Sequence, residues 1–165
     1  MPLTPFHFGP GALGKALLRE RFSFVTFVAV NVAIDVETGV NILRRAYPLH
    51  RFFHSFASVP LVTVLGTLAA PPLWRALSPL AGARLPRELS PGAAALTGFL
   101  ASASHVFLDA LMHRDVTPFA PWDGGNPFLG LVGAGSLHLL CLIAGLLAAV
   151  VWKLGSGRAI GSSFR

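Results

Sequence analysis

Four long stretches of the chain contain no aspartate, glutamate, lysine or arginine, and this pattern limits what the chain can fold into. They cover residues 22–34, 52–74, 89–108 and 124–152. A bilayer core about 30 Å thick is crossed by roughly 20 residues of helix, so the last three stretches are long enough to span it. The first is long enough only if its helix continues through Asp35 and Glu37 to about Leu43, which brings two acids into or near the hydrocarbon. The pattern therefore predicts four transmembrane helices.

The composition supports a membrane protein and excludes other classes. Hydrophobic residues make up 53% of the 165 residues and charged residues only 12%, whereas a soluble domain carries about a quarter of its residues as charges. The single cysteine, Cys141, excludes a disulfide framework and a cysteine-based metal site. The net charge of +6 comes from dispersed Lys and Arg residues, which suit anionic lipid headgroups better than nucleic acid. We expect a single integral membrane domain, residues 1–165, with the bilayer as partner, no nucleic-acid partner and a homo-oligomer left open.

A short helix is predicted ahead of the four spans. It covers residues 10–18, beginning at Pro10 and ending at the Arg19-Glu20-Arg21 cluster. It is either an amphipathic helix on the cytoplasmic surface or a half-spanning segment that enters from the other side. The predicted fold is thus an all-α integral membrane protein, a bundle of four transmembrane helices plus this short N-terminal helix.

The distribution of Lys and Arg predicts the orientation of the bundle. Alternating spans place nine of these residues on one side and four on the other, namely Arg44, Arg45, Arg51 and Arg114. Since positive charge favours the cytoplasm, we expect the nine-residue side to be cytoplasmic. The chain is then a multi-pass protein of the inner (cytoplasmic) membrane, and the loops at residues 44–51 and 113–126 face the periplasm or the exterior.

Histidine and aspartate side chains are predicted to meet at one depth in this bundle. At about 1.5 Å of rise per residue, Asp35 lies about 21 Å from the cytoplasmic end of its helix and His105 about 20 Å from the end of its own. His54 lies about 24 Å from the point where Pro71-Pro72 are expected to stop its helix. His7 lies about 18 Å from the cytoplasmic end of the first helix if that helix is a half-span. These positions predict a site in the outer leaflet.

Spacing along the chain adds further candidate ligands. His50 and His54, His105 and Asp109, and Asp109 and His113 are each four residues apart, so each pair would share a helix face and could clamp one metal ion. Imidazole with carboxylate suits zinc, with manganese and iron as alternatives. Because His105 and His113 are about 12 Å apart along a helix, the pattern predicts two ions, or one ion with an acid/base or substrate-binding group. The complete predicted ligand set is His7, Asp35, His50, His54, His105, Asp109 and His113.

Three charged residues near these ligands are predicted to act on the substrate. Glu37 or Asp115 could serve as general base, and Arg51 could contact a phosphate. Simpler roles stay open, since His113 and Asp115 could form a solvated turn and Arg51 could anchor lipid headgroups. His138 stands alone in an apolar span and is expected to be a packing residue.

Four short motifs make the chain similar to a known family. His7 is followed by Asp35-Val36-Glu37, then by His50-Arg51-Phe52-Phe53-His54-Ser55, then by Ser104-His105-Val106-Phe107-Leu108-Asp109. Over roughly residues 5–127, the order and form of these motifs resemble the bacterial and archaeal membrane-bound predicted metal-dependent hydrolases. That family is distantly similar to zinc-dependent phospholipase C. The resemblance implies hydrolase activity.

The sequence therefore favours a membrane-embedded, metal-dependent hydrolase. It would cleave a phosphoester or related bond of a lipid-linked or amphiphilic substrate through a metal-activated water. The alternative is a non-enzymatic protein that uses the same His and Asp cluster for metal binding, transport or redox chemistry. Polar residues are few in the inner halves of the predicted spans, which argues against transport; they include Asn31, Thr63, Thr67 and Thr97.

Overall fold

The structure is a computed structural model that describes residues 4–81 and 90–161. Short 3-10 turns lie at Thr4–His7, Arg19–Arg21, Phe52–His54 and Phe56–Ser58. The described part of the chain contains no strand and five α-helices, which are α1 (Phe8–Leu18), α2 (Phe24–Leu43), α3 (Val59–Ala81), α4 (Pro91–Met112) and α5 (Ala134–Gly161).

Four of these helices are long and apolar enough to cross a membrane, which confirms the predicted all-α bundle. As the sequence required, α2 continues through Asp35 and Glu37 to Leu43. Large apolar side chains such as Leu68 and Leu146 are exposed on the outside of the bundle, where they contact lipid. Arg84 and Arg87 of the predicted cytoplasmic loop, and Arg165, lie outside the described residues. The spanning segments are Phe24–Leu43, Phe56–Ala76, Pro91–Met112 and Ala134–Gly155.

The short helix α1 packs along α5. A Cβ on Gly9 would overlap the backbone carbonyl of Cys141, so glycine is needed for the two backbones to lie this close. Ten residues further along the chain, directly after α1, the Arg19 guanidinium lies beside Gly155, so the two helices run in the same direction. The 11 residues of α1 extend over about 16 Å, which is half of a bilayer core. The structure thus has the half-spanning form of the first helix, with His7 at the end of the bundle where α5 begins.

Helix α4 packs against both α2 and α3, and small residues permit these contacts. Ala101 and Ser102 are fully buried, and a Cβ on Gly98 would lie 3.2 Å from the carbonyl oxygen of Thr63 in α3. The Ser102 hydroxyl donates to the Gly98 carbonyl at 2.8 Å, so this buried hydroxyl is satisfied within α4. The close packing places the last turns of α4 inside the bundle.

The boundaries of α3 differ from the prediction at both ends. The helix begins at Val59 and not at residue 52, because residues 52–54 and 56–58 form two 3-10 turns and the Ser58 hydroxyl donates to the Ser55 carbonyl between them at 2.8 Å. It also continues past Pro71 and Pro72 to Ala81, so the predicted stop at these prolines is wrong. A proline removes one backbone hydrogen bond, and membrane-spanning helices tolerate that loss.

Two loops cover the end of the bundle where α1 and α5 begin, which we call the loop end. They comprise residues 44–58 and 113–133 and are joined by a hydrogen bond from the Phe56 N–H to the Pro118 carbonyl (2.8 Å). Phe119 and Phe128 pack beside Phe56. The apolar run that starts at residue 124 suggested a helix from that point. Its first residues form turns instead, so α5 begins only at Ala134 and the second loop is longer than expected. The site lies beneath these loops.

Gly9→Ala should loosen the contact between α1 and α5. The added methyl group overlaps a backbone carbonyl that cannot move alone, so we expect the free energy of unfolding to fall by roughly 1–3 kcal/mol. Thermal unfolding of the detergent-solubilised protein measures the change. Gly39→Ala is the matched control, because nothing lies within 4 Å of a Cβ there. Equal stability of Gly9→Ala and the wild type would contradict the close packing of α1.

Candidate metal centre

A buried group of four ligating side chains lies where α2, α4 and the loop before α3 meet. Group 1 consists of Asp35 from α2, His54 from the loop, and His105 and Asp109 from one face of α4. The His105 Nε2 atom lies 3.3 Å from Asp35 Oδ1 and 3.4 Å from Asp109 Oδ2. His54 Nε2 lies 3.8 and 3.5 Å from the same two oxygens. One ligand atom from each side chain lies within 4.8 Å of the others, so the group is compact enough for one ion.

A second group of ligating side chains lies beside the first. Group 2 consists of His50, Asp109 and His113. The imidazole rings of His50 and His113 lie side by side with their centroids 4.3 Å apart. His50 comes from the loop before α3, and His113 follows the last residue of α4. Asp109 belongs to both groups, so its carboxylate lies between two sets of histidines.

Three of the histidines are held by a hydrogen bond on the Nδ1 atom of the ring. Because each partner is a carboxylate or amide oxygen that accepts, each Nδ1 carries the proton and each Nε2 is left as a ligand atom. An oxygen acceptor behind the imidazole is typical of metal-binding histidines. The three contacts are His54 Nδ1 to Glu37 Oε2 (3.2 Å), His50 Nδ1 to Asp115 Oδ1 (2.9 Å) and His105 Nδ1 to Asn31 Oδ1 (2.9 Å).

Several buried polar atoms of these side chains have no hydrogen-bond partner among the described residues. They include His105 Nε2 and Asp109 Oδ1 of group 1 and His113 Nε2 of group 2. A buried polar atom without a partner costs about 1–3 kcal/mol. Divalent cations held by the two groups would satisfy all three atoms, so the donor set fits a metal.

His7 reaches this region from the start of α1. Its Nε2 atom lies 3.3 Å from Asp109 Oδ1, and its ring packs against His105 with centroids 4.5 Å apart. The side chain is buried, although it belongs to neither group. The half-spanning α1 thus brings His7 to Asp109 Oδ1, whereas His54 and His105 of group 1 lie beside Asp109 Oδ2.

Glu37 and Asp115 each bind a loop as well as an imidazole. Glu37 Oε2 accepts hydrogen bonds from the backbone N–H groups of Arg51 and Phe53, both at 3.1 Å. Asp115 Oδ2 accepts hydrogen bonds from the backbone N–H groups of Leu49 and His50, at 2.8 and 3.2 Å. The two carboxylates therefore fix both the loop before α3 and the histidines that it carries.

Two other residues considered in the sequence lie apart from both groups. Arg51 is exposed, and its side-chain Nε–H donates to the Pro48 carbonyl at 3.1 Å. His138 packs against Phe6 with ring centroids 4.2 Å apart, and its buried Nε2 atom has no hydrogen-bond partner among the described residues.

The prediction that His50 and His54 share one helix face is wrong. Both residues precede α3, and His54 lies in a 3-10 turn. They belong to different groups, and their rings meet edge to face at 4.6 Å. The reason is that the loop, held by Glu37 and Asp115, folds back over the bundle. His105 and Asp109 do share a face of α4, as their spacing predicted.

Asn31 and Thr38 are site residues that the sequence analysis missed. Asn31 is fully buried and bonds to His105, and the Thr38 hydroxyl lies 3.5 Å from His54 Nε2. They lie four residues before and three residues after Asp35, which places them on the same face of α2. That spacing is the signal that could have identified them.

Beyond the spanning segments, the electrostatics favour the protonation states that a metal site needs. Burial lowers the pKa of the His113 imidazole despite the attraction of Asp109, so the neutral, metal-binding form is favoured. Burial acts to raise the pKa of Asp115, but hydrogen bonds from His50 and the loop backbone outweigh it and hold this pKa below its ordinary value. Asp115 therefore stays charged behind His50.

The fold and the cluster define a class, a multi-pass helical membrane protein with a buried His and Asp cluster that could bind metal. Comparison with family models is more specific. The chain belongs to the YdjM inner membrane protein family, whose model matches residues 9–163. It is thus a multi-pass protein of the inner membrane, as the sequence predicted. No curated protein and no solved structure matches the chain.

The detergent-purified protein should contain a divalent metal, and Asp109→Ala should lose it. Because Asp109 belongs to both groups, the substitution should remove all of the metal and not only half. Elemental analysis of the two proteins side by side measures this. Asp123→Ala is the control, since that carboxylate binds the Gly125 N–H in an exposed loop. A wild-type protein without metal, or a full metal content in Asp109→Ala, would count against the site.

Proposed function

We propose that this protein is a membrane-embedded metal-dependent hydrolase that cleaves a phosphoester or related bond of a lipid-linked or amphiphilic substrate. The observation that carries the proposal is the position of Asp109, whose carboxylate lies between group 1 and group 2. Two-metal sites are a common arrangement for phosphoester hydrolysis, and Asp109 could serve as a ligand in both groups. The resemblance of the His and Asp motifs to membrane-bound metal-dependent hydrolases supports the same reaction class.

In this proposal, group 1 would hold one ion and group 2 would hold a second. His7 offers a further ligand beside Asp109 Oδ1. The mixture of imidazole and carboxylate favours zinc, with manganese and iron as alternatives. When bound, such an ion makes water acidic enough to serve as a nucleophile near neutral pH.

We assign Glu37 and Asp115 as positioning residues, in preference to the general-base role that the sequence suggested. Each carboxylate already accepts two backbone N–H groups and one imidazole N–H. Such a carboxylate is a poor proton acceptor because its lone pairs are engaged and its charge is stabilised. Its effect on catalysis would pass through the orientation of His54 or His50.

Substrate would approach group 1 from the side of Asp35. The Asp35 side chain is 28% exposed, whereas those of His54, His105 and Asp109 are at most 2% exposed. Arg51 lies in the same loop end and is exposed, so its guanidinium is the candidate contact for an approaching phosphate. The bias of Lys and Arg supports a loop end that faces the periplasm.

Two buried hydroxyls of α4 below the cluster offer no open ligand for the alternative of ion transport. The Thr97 hydroxyl donates to the Ala93 carbonyl at 2.7 Å, and the Ser102 hydroxyl donates to the Gly98 carbonyl at 2.8 Å. Both groups are therefore used within α4. A transport path would need successive open ligands from the cluster toward the other end of the bundle.

Hydrolysis should depend on metal and on the shared carboxylate. In nanodiscs, a panel of lipid phosphates should include one that the wild type cleaves, with activity lost on chelation and restored by zinc or manganese. Asp109→Ala and His54→Ala should reduce the rate to background, because both remove ligands of group 1. His138→Ala is the matched control, since that ring packs outside both groups. Activity unchanged in Asp109→Ala would refute the proposed site.

Glu37→Gln should weaken metal binding and not proton transfer. A residue that orients a ligand changes metal affinity by about 10–100-fold when it is replaced, and excess metal should then restore the rate. Loss of a general base would instead cost about 10²–10⁴-fold in rate at saturating metal. A metal titration of activity and of metal content separates the two. Asp115→Asn tests the corresponding contact on His50 in the same way.

A further inference from the structure

An apolar groove runs along the outside of the bundle between α2 and α3. Both helices pack mainly against α4 and touch each other less, and the residues that face across the gap are small. Ala29 and Ala33 line it on α2, and Gly66 and Ala69 line it on α3. The small side chains leave a cavity of about 190 Å³.

The chemistry of the groove excludes a polar ligand. Its floor includes Val30, Ile34 and Val62, which belong to the hydrophobic core of the bundle. Thr26 is the polar residue in the lining, and its hydroxyl is bonded to the Ser23 hydroxyl oxygen at 3.0 Å. Hydrocarbon therefore matches the lining, and the groove lies on spanning segments, where hydrocarbon is the solvent.

The size of the groove fits one hydrocarbon chain. A cavity of about 150 Å³ holds a single benzene, so the groove has the cross-section of a narrow apolar chain and not of a bulky headgroup. Along α3 the lining extends from Val62 to Leu73, or about 16 Å. That length is close to half of a bilayer core, the depth of one leaflet.

The upper end of the groove leads to group 1. Ile34 and Phe53 close that end, and the residues that follow them in the chain are Asp35 and His54. The Phe53 N–H donates to Glu37, the carboxylate that holds His54. The groove also lies beside α2, the helix that carries the most exposed ligand of the group. A chain lying in the groove therefore has its polar end at the candidate metal centre.

We propose that the groove between α2 and α3 seats one acyl or isoprenoid chain of the substrate and thereby presents the bond to be cleaved to group 1. Because the proposal names a substrate, it rests on the hydrolase function proposed above. The substrate would be a membrane lipid that remains in the bilayer during the reaction. The small residues Ala33 and Ala69 would then determine how the chain binds.

Photo-crosslinking tests the groove without any need for hydrolysis. The full-length protein is placed in nanodiscs of phosphatidylethanolamine and phosphatidylglycerol that contain a phosphatidylglycerol with a diazirine in the middle of one acyl chain. After illumination, labelled peptides are identified by mass spectrometry. We expect labelling to concentrate on the facing sides of α2 and α3. Equal labelling of all lipid-facing helices, α5 included, would overturn the proposal, because it would show bulk lipid only.

Two variants fill the groove from its lipid side. Ala33 and Ala69 are exposed, so Ala33→Phe and Ala69→Phe place a ring in the groove without disturbing the core. Each should remove the excess labelling of the facing helix over the other lipid-facing helices, because the added ring occupies the space that the chain would fill. Val32→Phe and Val64→Phe are matched controls on the same helices, exposed but outside the groove. Unchanged labelling in both groove variants would overturn the proposal.

The outcomes separate this inference from the hydrolase function. One outcome is that Ala33→Phe removes labelling of the groove but no lipid phosphate is hydrolysed. This would support the chain-binding groove and refute the hydrolase function. Hydrolysis with even labelling of all helices would keep the enzyme and refute the groove.

Discussion

The buried carboxylate of Asp109 is the group on which the rest of the structure depends. Its side chain is 2% exposed inside a helical bundle, where an unpaired ionised carboxylate would cost more than the whole stability of a typical domain. The Nε2 atoms of His7, His54 and His105 lie within 3.5 Å of its two oxygens. Because His54 and His105 direct the Nδ1 proton at other acceptors, a cation held between these nitrogens and the carboxylate would be its partner. These histidines come from α1, the loop before α3 and α4, so three separate elements must converge on one side chain.

Two close helix contacts make that convergence geometrically feasible. Gly9 lets the start of α1 lie against the backbone of α5 at Cys141, and Gly98 lets α4 lie against the backbone of α3 at Thr63. In lipid there is little hydrophobic drive for helices to associate, so packing of small residues carries more of the stability than in water. The small residues therefore serve the site as well as the fold, because the close packing that they permit brings the histidines within reach of Asp109.

Most of the fold and much of the site could be predicted, because both rest on regular helices. The runs without charge located the spans, and the four-residue spacing of His105 and Asp109 placed them on one face of α4. The failures lie where helical periodicity does not apply. His50 and His54 look like a helix pair in the sequence, but the segment before α3 is held in 3-10 turns by contacts from Glu37 and Asp115 that no local pattern encodes. In a soluble protein, Pro71 and Pro72 would be expected to end a helix, but the membrane-spanning helix α3 continues through them.

The acids of this chain join the order of the loops to the geometry of the candidate centre. Four of the seven acidic residues lie at the site, and two of them, Glu37 and Asp115, each bind two backbone N–H groups of the loop before α3 together with one imidazole. If such a loop moves, the imidazole must turn with it, since the same carboxylate holds both. An ion bound at the candidate centre would therefore be linked to loop order, because by fixing His50 and His54 it would also fix the carboxylates behind them and the backbone that those carboxylates hold.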